Sequence, residues 1–152
     1  MSDMNYVVLW LQCVCMITTG AISISKMMMV NNSLQKLYVW GNSIGDAGIS
    51  AIAGALCNCM INELDVSRCG ITLTGARSLA EGLSSNHTIR ELVLYNNPIT
   101  VEGALLLVEA AVHHTVCQCV EIDDEYKNDE IQKMRKIFKD KWLRQEVRDC
   151  VI

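Results

Sequence analysis

Apolar residues recur in this chain in two alternating rhythms. In Leu34-Gln-Lys-Leu37-Tyr-Val39-Trp-Gly-Asn42-Ser-Ile44 they alternate as in a short strand that ends in a turn; Gly48, Ile52 and Leu56 then follow at helical spacing. A shift of 27 residues gives Ile61-Asn-Glu-Leu64-Asp-Val66-Ser-Arg-Cys69-Gly-Ile71, then Gly75, Leu79 and Leu83. A further shift of 28 gives Ile89-Arg-Glu-Leu92-Val-Leu94-Tyr-Asn-Asn97-Pro-Ile99, then Gly103, Leu107 and Ala111. The unit is L-x-x-L-x-L-x-x-N/C-x-L followed by a helix. A weaker unit lies upstream, with Leu9, Leu11, Met16, Gly20, Ile24 and Met28 in the same columns and Val14 in place of Asn or Cys. Cys117, Val120 and Ile122 begin a fifth strand.

No such unit buries its apolar face alone, so the pattern predicts a stack in which neighbouring units share one core. The strands form a parallel sheet on one side and the helices cover the other. Asn42 and Asn97 are expected to bond the backbone of the turn after each strand, with Cys69 as a small buried donor between them. Thr72 and Thr100 suit helix N-caps. Gly48, Gly75 and Gly103 are expected to let helix pack closely on strand.

Over residues 6–123 the pattern resembles the ribonuclease-inhibitor-like leucine-rich repeats, which also form the C-terminal regions of NOD-like (NACHT plus leucine-rich-repeat) receptors and of Ran GTPase-activating proteins. Gly75-Ala-Arg-Ser-Leu-Ala-Glu-Gly-Leu83, with Asn86 and Thr88 leading into the next strand, looks most like the NOD-like receptors. The resemblance implies an α/β horseshoe solenoid with a short parallel sheet on the concave side and helices on the convex side. It implies a protein-binding module, acting in ligand sensing or autoinhibition, with no cofactor. The Ran activators offer an alternative, regulation of a small GTPase, for which Arg68 and Arg90 are the candidate residues.

Composition narrows the classes. The chain has 152 residues, one domain's worth, with 51% hydrophobic and 20% charged residues. Its formal charge of -4 and pI near 5.3 argue against a nucleic-acid protein. Of its eight cysteines, six form C-x-C pairs (Cys13 and Cys15, Cys57 and Cys59, Cys117 and Cys119) rather than the C-x-x-C of zinc sites. They read as reduced, buried thiols of a cytoplasmic protein. Residues 4–24 carry no charge, as a signal or anchor segment would, but Asp3 and the lack of Lys or Arg ahead of them are the wrong flank. The segment reads as the first repeat; a secreted or membrane-anchored protein is the alternative. Without G-x-x-x-x-G-K-[ST], G-x-S-x-G or H-E-x-x-H, the chain reads as no enzyme. A Cys69 nucleophile served by His113 or His114 lacks an orienting third group. The sequons at Asn31 and Asn86 fall where this repeat places Asn for turns.

Residues 1–123 read as the repeat array and 124–152 as a C-terminal cap and tail. Asn128 or Asp129 would start a helix with Ile131, Met134, Ile137, Phe138 and Trp142 on one side and Lys133, Arg135, Lys136, Lys139 and Lys141 on the other. This is read as a capping helix rather than a membrane-binding one. The N-terminal end has no polar cap, so the strand from Tyr6 to Leu11 presents a bare edge at which the chain would self-associate. Outward strand positions make three columns on the concave face: Trp10, Tyr38, Asp65, Val93 and Glu121; Trp40, Ser67, Tyr95 and Asp123, headed by Gln12; and Lys36, Glu63 and Glu91. Aromatic residues there supply rigid contact area, and the carboxylates favour a basic partner.

Overall fold

The computed structural model describes residues 7–123, 129–134, 136–137 and 139–140. Strands and helices alternate in order: β1 (Val7–Trp10), α1 (Thr18–Val30), β2 (Leu34–Tyr38), α2 (Gly45–Ala55), β3 (Glu63–Asp65), α3 (Leu73–Ser85), β4 (Glu91–Val93), α4 (Thr100–His113) and β5 (Cys119–Glu121). A short 3-10 turn, Leu56–Asn58, follows α2 and holds Leu56. All five strands pair in parallel in sequence order. Trp10, Tyr38 and Asp65 fall in one row with Val93 and Glu121, and Lys36, Glu63 and Glu91 fall in the next. Each helix packs against the helix of the following unit. The core is one continuous cluster in which Leu37, Ile52, Leu64, Leu79, Leu92 and Leu107 have no solvent exposure or nearly none. The weak first unit takes the same strand–helix form as the others. No helix among the described residues is long and apolar enough to cross a membrane.

The turns carry the repeat. Asn42 donates from Nδ2 to Val39 O and to Leu11 O of the preceding unit, both at 2.7 Å, and its Oδ1 accepts from Met16 N at 2.9 Å. Asn97 does the same one unit pair further on, donating to Leu94 and Val66 and accepting from Cys69 N and Ile71 N. Cys69 donates its thiol to Val39 O at 3.3 Å. The residue before this column is left-handed in all four units: Cys13 (φ 52°), Gly41 (73°), Arg68 (52°) and Asn96 (57°). Only glycine takes that conformation without cost; an L-residue gives up roughly 1 kcal/mol.

A second set of side chains fixes the helix-to-strand corner. Asn31 Oδ1 accepts from Ser33 N and Leu34 N, and Asn86 Oδ1 from Thr88 N and Ile89 N. In the last unit His114 takes this place, its Nδ1 accepting from Val116 N at 3.2 Å and Cys117 N at 2.8 Å. Asn86 is 2% exposed and also donates to Leu56 O, so the turn uses the whole amide.

Several expectations need correction. Gly48, Gly75 and Gly103 make room for the preceding helix, not for a strand: added Cβ atoms would meet Ala21, Asp46 and Ala76 at 3.0, 2.6 and 3.0 Å. Asp46, at the start of α2, accepts from Thr72 N, Thr72 Oγ1 and Gly75 N, and so caps α3 from the neighbouring unit. Thr72 is the N-cap of α3, but α4 is capped at Ile99; Thr100 is its first residue, with φ 63° and only a 3.5 Å bond from Gly103 N. The thiols of Cys13, Cys15 and Cys57 are exposed rather than buried. Residues 129–134 are helical, with Ile131 fully buried and Met134 packed on the core, whereas Ile137, expected on the same side, is exposed. Tyr6, Asn128, Arg135, Phe138, Lys141 and Trp142 lie outside the described residues.

Because asparagine holds the same corner elsewhere, His114→Asn should keep stability within about 0.5 kcal/mol, while His114→Ala should cost roughly 1–3 kcal/mol by leaving two backbone N–H groups unsatisfied. Urea titrations of the two variants check this; equal losses would show that the imidazole contributes packing alone.

Candidate functional site

The open face of the sheet is the one surface on which side chains from all five strands converge. Alternation along each strand turns Leu37, Leu64 and Leu92 into the core and leaves their neighbours outward. A cleft of about 570 Å³ lies there, bounded by Trp10 and Tyr38 at one end and by Glu63 and Glu91 towards the other. The Trp10 and Tyr38 rings stack at 4.3 Å and 29°, and Trp10 remains 60% exposed.

Of the residues singled out from sequence, Trp10, Lys36, Tyr38, Glu63 and Glu91 of the outward columns meet in this cleft, as does Arg90, the candidate of the GTPase-regulator alternative. Val8, Asn62, Gln118 and Cys119 also line it. Arg90 and Gln118 escaped the column reading because they precede their strands, outside the alternation that marks outward positions. Asp65, Val93 and Glu121 continue the row of Tyr38. Trp40, Ser67, Tyr95 and Asp123 sit at the turn end of the same face, Trp40 half-buried and Tyr95 40% exposed. Arg68 lies in the left-handed turn column, away from the cleft.

The carboxylates differ in what they already hold. Glu63 takes Lys36 Nζ at 2.5 Å and the Tyr38 hydroxyl. Burial alone would raise its pKa, but those two partners outweigh it and keep the carboxyl below the ordinary range. Burial and Glu63 push the Tyr38 phenol well up, so it stays a donor. Asp65 accepts from Ser67 N, and Asp123 from Asn96 N, so both serve turns. Glu121 receives a long 3.7 Å contact from the Cys119 thiol. Glu91 accepts no hydrogen bond or ion pair among the described residues. Burial first, then Glu63 and Glu121, push its carboxyl up, and Lys36 offsets them only partly.

Two buried thiols, Cys59 and Cys69, are held away from the thiolate form. Burial pushes Cys69 up to about 11 and raises Cys59, the opposite of what thiolate chemistry requires. His114 faces the backbone of its own turn rather than Cys69.

A raised folded-state pKa means that Glu91 binds its proton more tightly in the native chain than in the unfolded one. Its contribution to stability therefore falls as pH rises through the carboxylate range. Glu91→Gln should stabilise the fold at neutral pH, by roughly 0.5 kcal/mol after solvent screening. The gain should vanish at pH values below the ordinary glutamate pKa. Thermal melts of both chains across that range check the sign; a Glu91→Gln chain less stable at neutral pH would contradict it.

Comparison with known proteins agrees with this architecture. The Leucine Rich repeat family matches residues 30–53, 57–80 and 85–108. NACHT, LRR and PYD domains-containing protein 5 of Homo sapiens is 38% identical over 88 residues, 57% of this chain and 7% of that protein. The corresponding protein 3 of Bos taurus is 28% identical over 119 residues, 76% of this chain and 12% of its own length. Ribonuclease inhibitor of Mus musculus is 34% identical over 107 residues, 69% of this chain and 23% of the inhibitor. The chain thus spans less than a quarter of the length of each of these relatives. Among solved structures, the Leiomodin-1 Actin-Binding Site 2 superposes with a TM-score of 0.79 over 97% of this chain and 87% of that one, at 15% identity, a likeness of fold. The period, the asparagine and cysteine turns and these matches together make the chain a leucine-rich-repeat protein of the ribonuclease-inhibitor type, similar to repeat regions of the NACHT, LRR and PYD domains-containing proteins.

Proposed function

We propose that the chain is a protein-binding module whose concave sheet face, residues Trp10, Lys36, Tyr38, Trp40, Glu63, Asp65, Ser67, Glu91, Val93, Tyr95, Glu121 and Asp123, receives the partner. The observation that carries this reading is the Trp10–Tyr38 stack, an exposed aromatic pair standing over the cleft. Rigid aromatic side chains in a cleft provide contact area at small entropy cost. The similarity to NACHT, LRR and PYD domains-containing proteins supports a role as the ligand-sensing or autoinhibitory repeat region of such a receptor, or of a fragment of one. Cytoplasmic residence fits the free thiols of Cys13, Cys15, Cys57, Cys59 and Cys69, and the burial of Asn86, whose sequon cannot carry a glycan in this fold. Residues 124–152 act in this reading as the cap of the array, anchored by Ile131.

A pull-down with wild type and with a Trp40→Ala, Tyr95→Ala variant tests the face, once circular dichroism shows both folded. Capture by the wild type and loss by the variant is the expected result. Equal capture by both chains contradicts it.

A second reading has its own support at the N-terminal end. Val7, Val14, Ile17, Met29 and Val30, the last 81% exposed, all belong to the first unit, whose strand β1 pairs only with β2 among the described residues. The chain self-associates through the edge of β1 in that reading. Light scattering at tens of micromolar should then give more than the monomer mass, and Val8→Lys should restore the monomer; a monomeric wild type sinks the idea.

A further inference from the structure

The cleft's two ends ask for different side chains, and their separation fixes how a partner would present them. At the β1 end the Trp10 ring is largely open to solvent. At the β4 end stands Glu91, half-buried, its carboxylate without a hydrogen bond or ion pair among the described residues. Neither cation that lines the cleft is ion-paired with it. Lys36 is held by Glu63 at 2.5 Å, and Arg90 is exposed on the rim. The charges that act on Glu91 are Glu63, Glu121 and Asp65 against the single Lys36, so the site keeps a net negative potential. β1 and β4 are three strand spacings apart, ~14 Å, and Trp10 is in register with Val93, two residues along β4 from Glu91, so the two positions lie ~16 Å apart. Four residues of extended chain cover ~14 Å of that at ~3.4 Å each, and the length of an arginine side chain closes the rest.

Resting on the protein-binding reading above, we infer that the cleft takes an extended segment of a partner protein that crosses the strands, with an arginine seated on Glu91 and an apolar side chain four residues away packed on Trp10. Spacing of four puts both side chains on the same side of an extended chain, because alternation has a period of two. Arginine suits Glu91 better than lysine does. Its planar fork can bond a carboxylate with two N–H groups and sheds its water more readily in a half-buried cleft. Glu63 cannot play this part, because Lys36 and Tyr38 already occupy its oxygens.

The test uses short fluorescein-labelled peptides and the full chain, read by anisotropy. The first probe is Leu-Ser-Ser-Ser-Arg with fluorescein on its N-terminus through a flexible linker and an amide at its C-terminus; the others replace its arginine by citrulline or shorten the spacing to three. The arginine peptide should bind wild type, and binding should weaken about tenfold with Glu91→Gln and with citrulline, the loss of one charge-assisted contact. Spacing of three should weaken it as well, and added salt should do so for the arginine peptide alone. Glu91→Gln removes a repulsion, so this variant should melt no lower than wild type, which separates lost binding from lost fold. Undiminished binding of the citrulline peptide, or no effect of Glu91→Gln, overturns the inference, as does failure of the arginine peptide to bind. A partner lost by the Trp40→Ala, Tyr95→Ala variant but kept by Glu91→Gln would overturn this inference and leave the concave-face reading standing.

Discussion

Everything in this structure depends on satisfying buried backbone groups where each strand turns towards its helix. The turns alternate exposed residues with the buried Asn42, Cys69 and Asn97, and the backbone groups these enclose would each cost roughly 1–3 kcal/mol if left unpaired. Asn42 and Asn97 meet that requirement with one amide apiece, tying their own turn to the turn before it. Because each amide bridges two units, it also sets the distance and register between them. The parallel rows of the sheet follow, and with them the placement of Trp10 beside Tyr38 and of Glu63 beside Glu91. The left-handed residue ahead of each amide is the accompanying cost. Arg68 and Cys13 accept it because the turn admits no other path.

The parts legible in the sequence were those with a period. Leu37, Leu64 and Leu92, or Asn42 and Asn97, declare their roles by recurring, and the outward columns follow from alternation alone. Contacts between units were not legible, since they join residues some 26 to 29 positions apart whose chemistry does not repeat. Asp46 capping α3 has no counterpart column of acids, so nothing marked it. The glycine column was visible, but its purpose was assigned to the wrong neighbour. Spacing shows that a side chain must be absent, not which element fills the room. His114 was invisible for a different reason: an imidazole nitrogen and an amide oxygen accept the same bonds, so the role persisted while the residue changed.

The two ends of the array differ in a way that bears on association. At the C-terminal end Ile131 lies completely within the core and Met134 packs against it. At the N-terminal end β1 has one strand neighbour and the surrounding side chains are apolar. In the self-association reading, contact between two β1 edges would join like to like and stop at two chains.

The acidic row is the place where the repeat works against its own stability. Neighbouring strands ~4.8 Å apart put Glu91 next to Glu63 in register, with Glu121 one row away. Like charges so placed repel, and a half-buried setting screens them less than open solvent would. The fold could relieve the strain with one more cation, as it does at Glu63 with Lys36, yet at Glu91 it does not. A face built only for stability would place a neutral or basic residue there. Local cost retained on an otherwise satisfied scaffold is the usual mark of a surface shaped for something outside the chain. A positive charge brought by a partner would offset the repulsion that Glu63, Glu121 and Asp65 exert on Glu91.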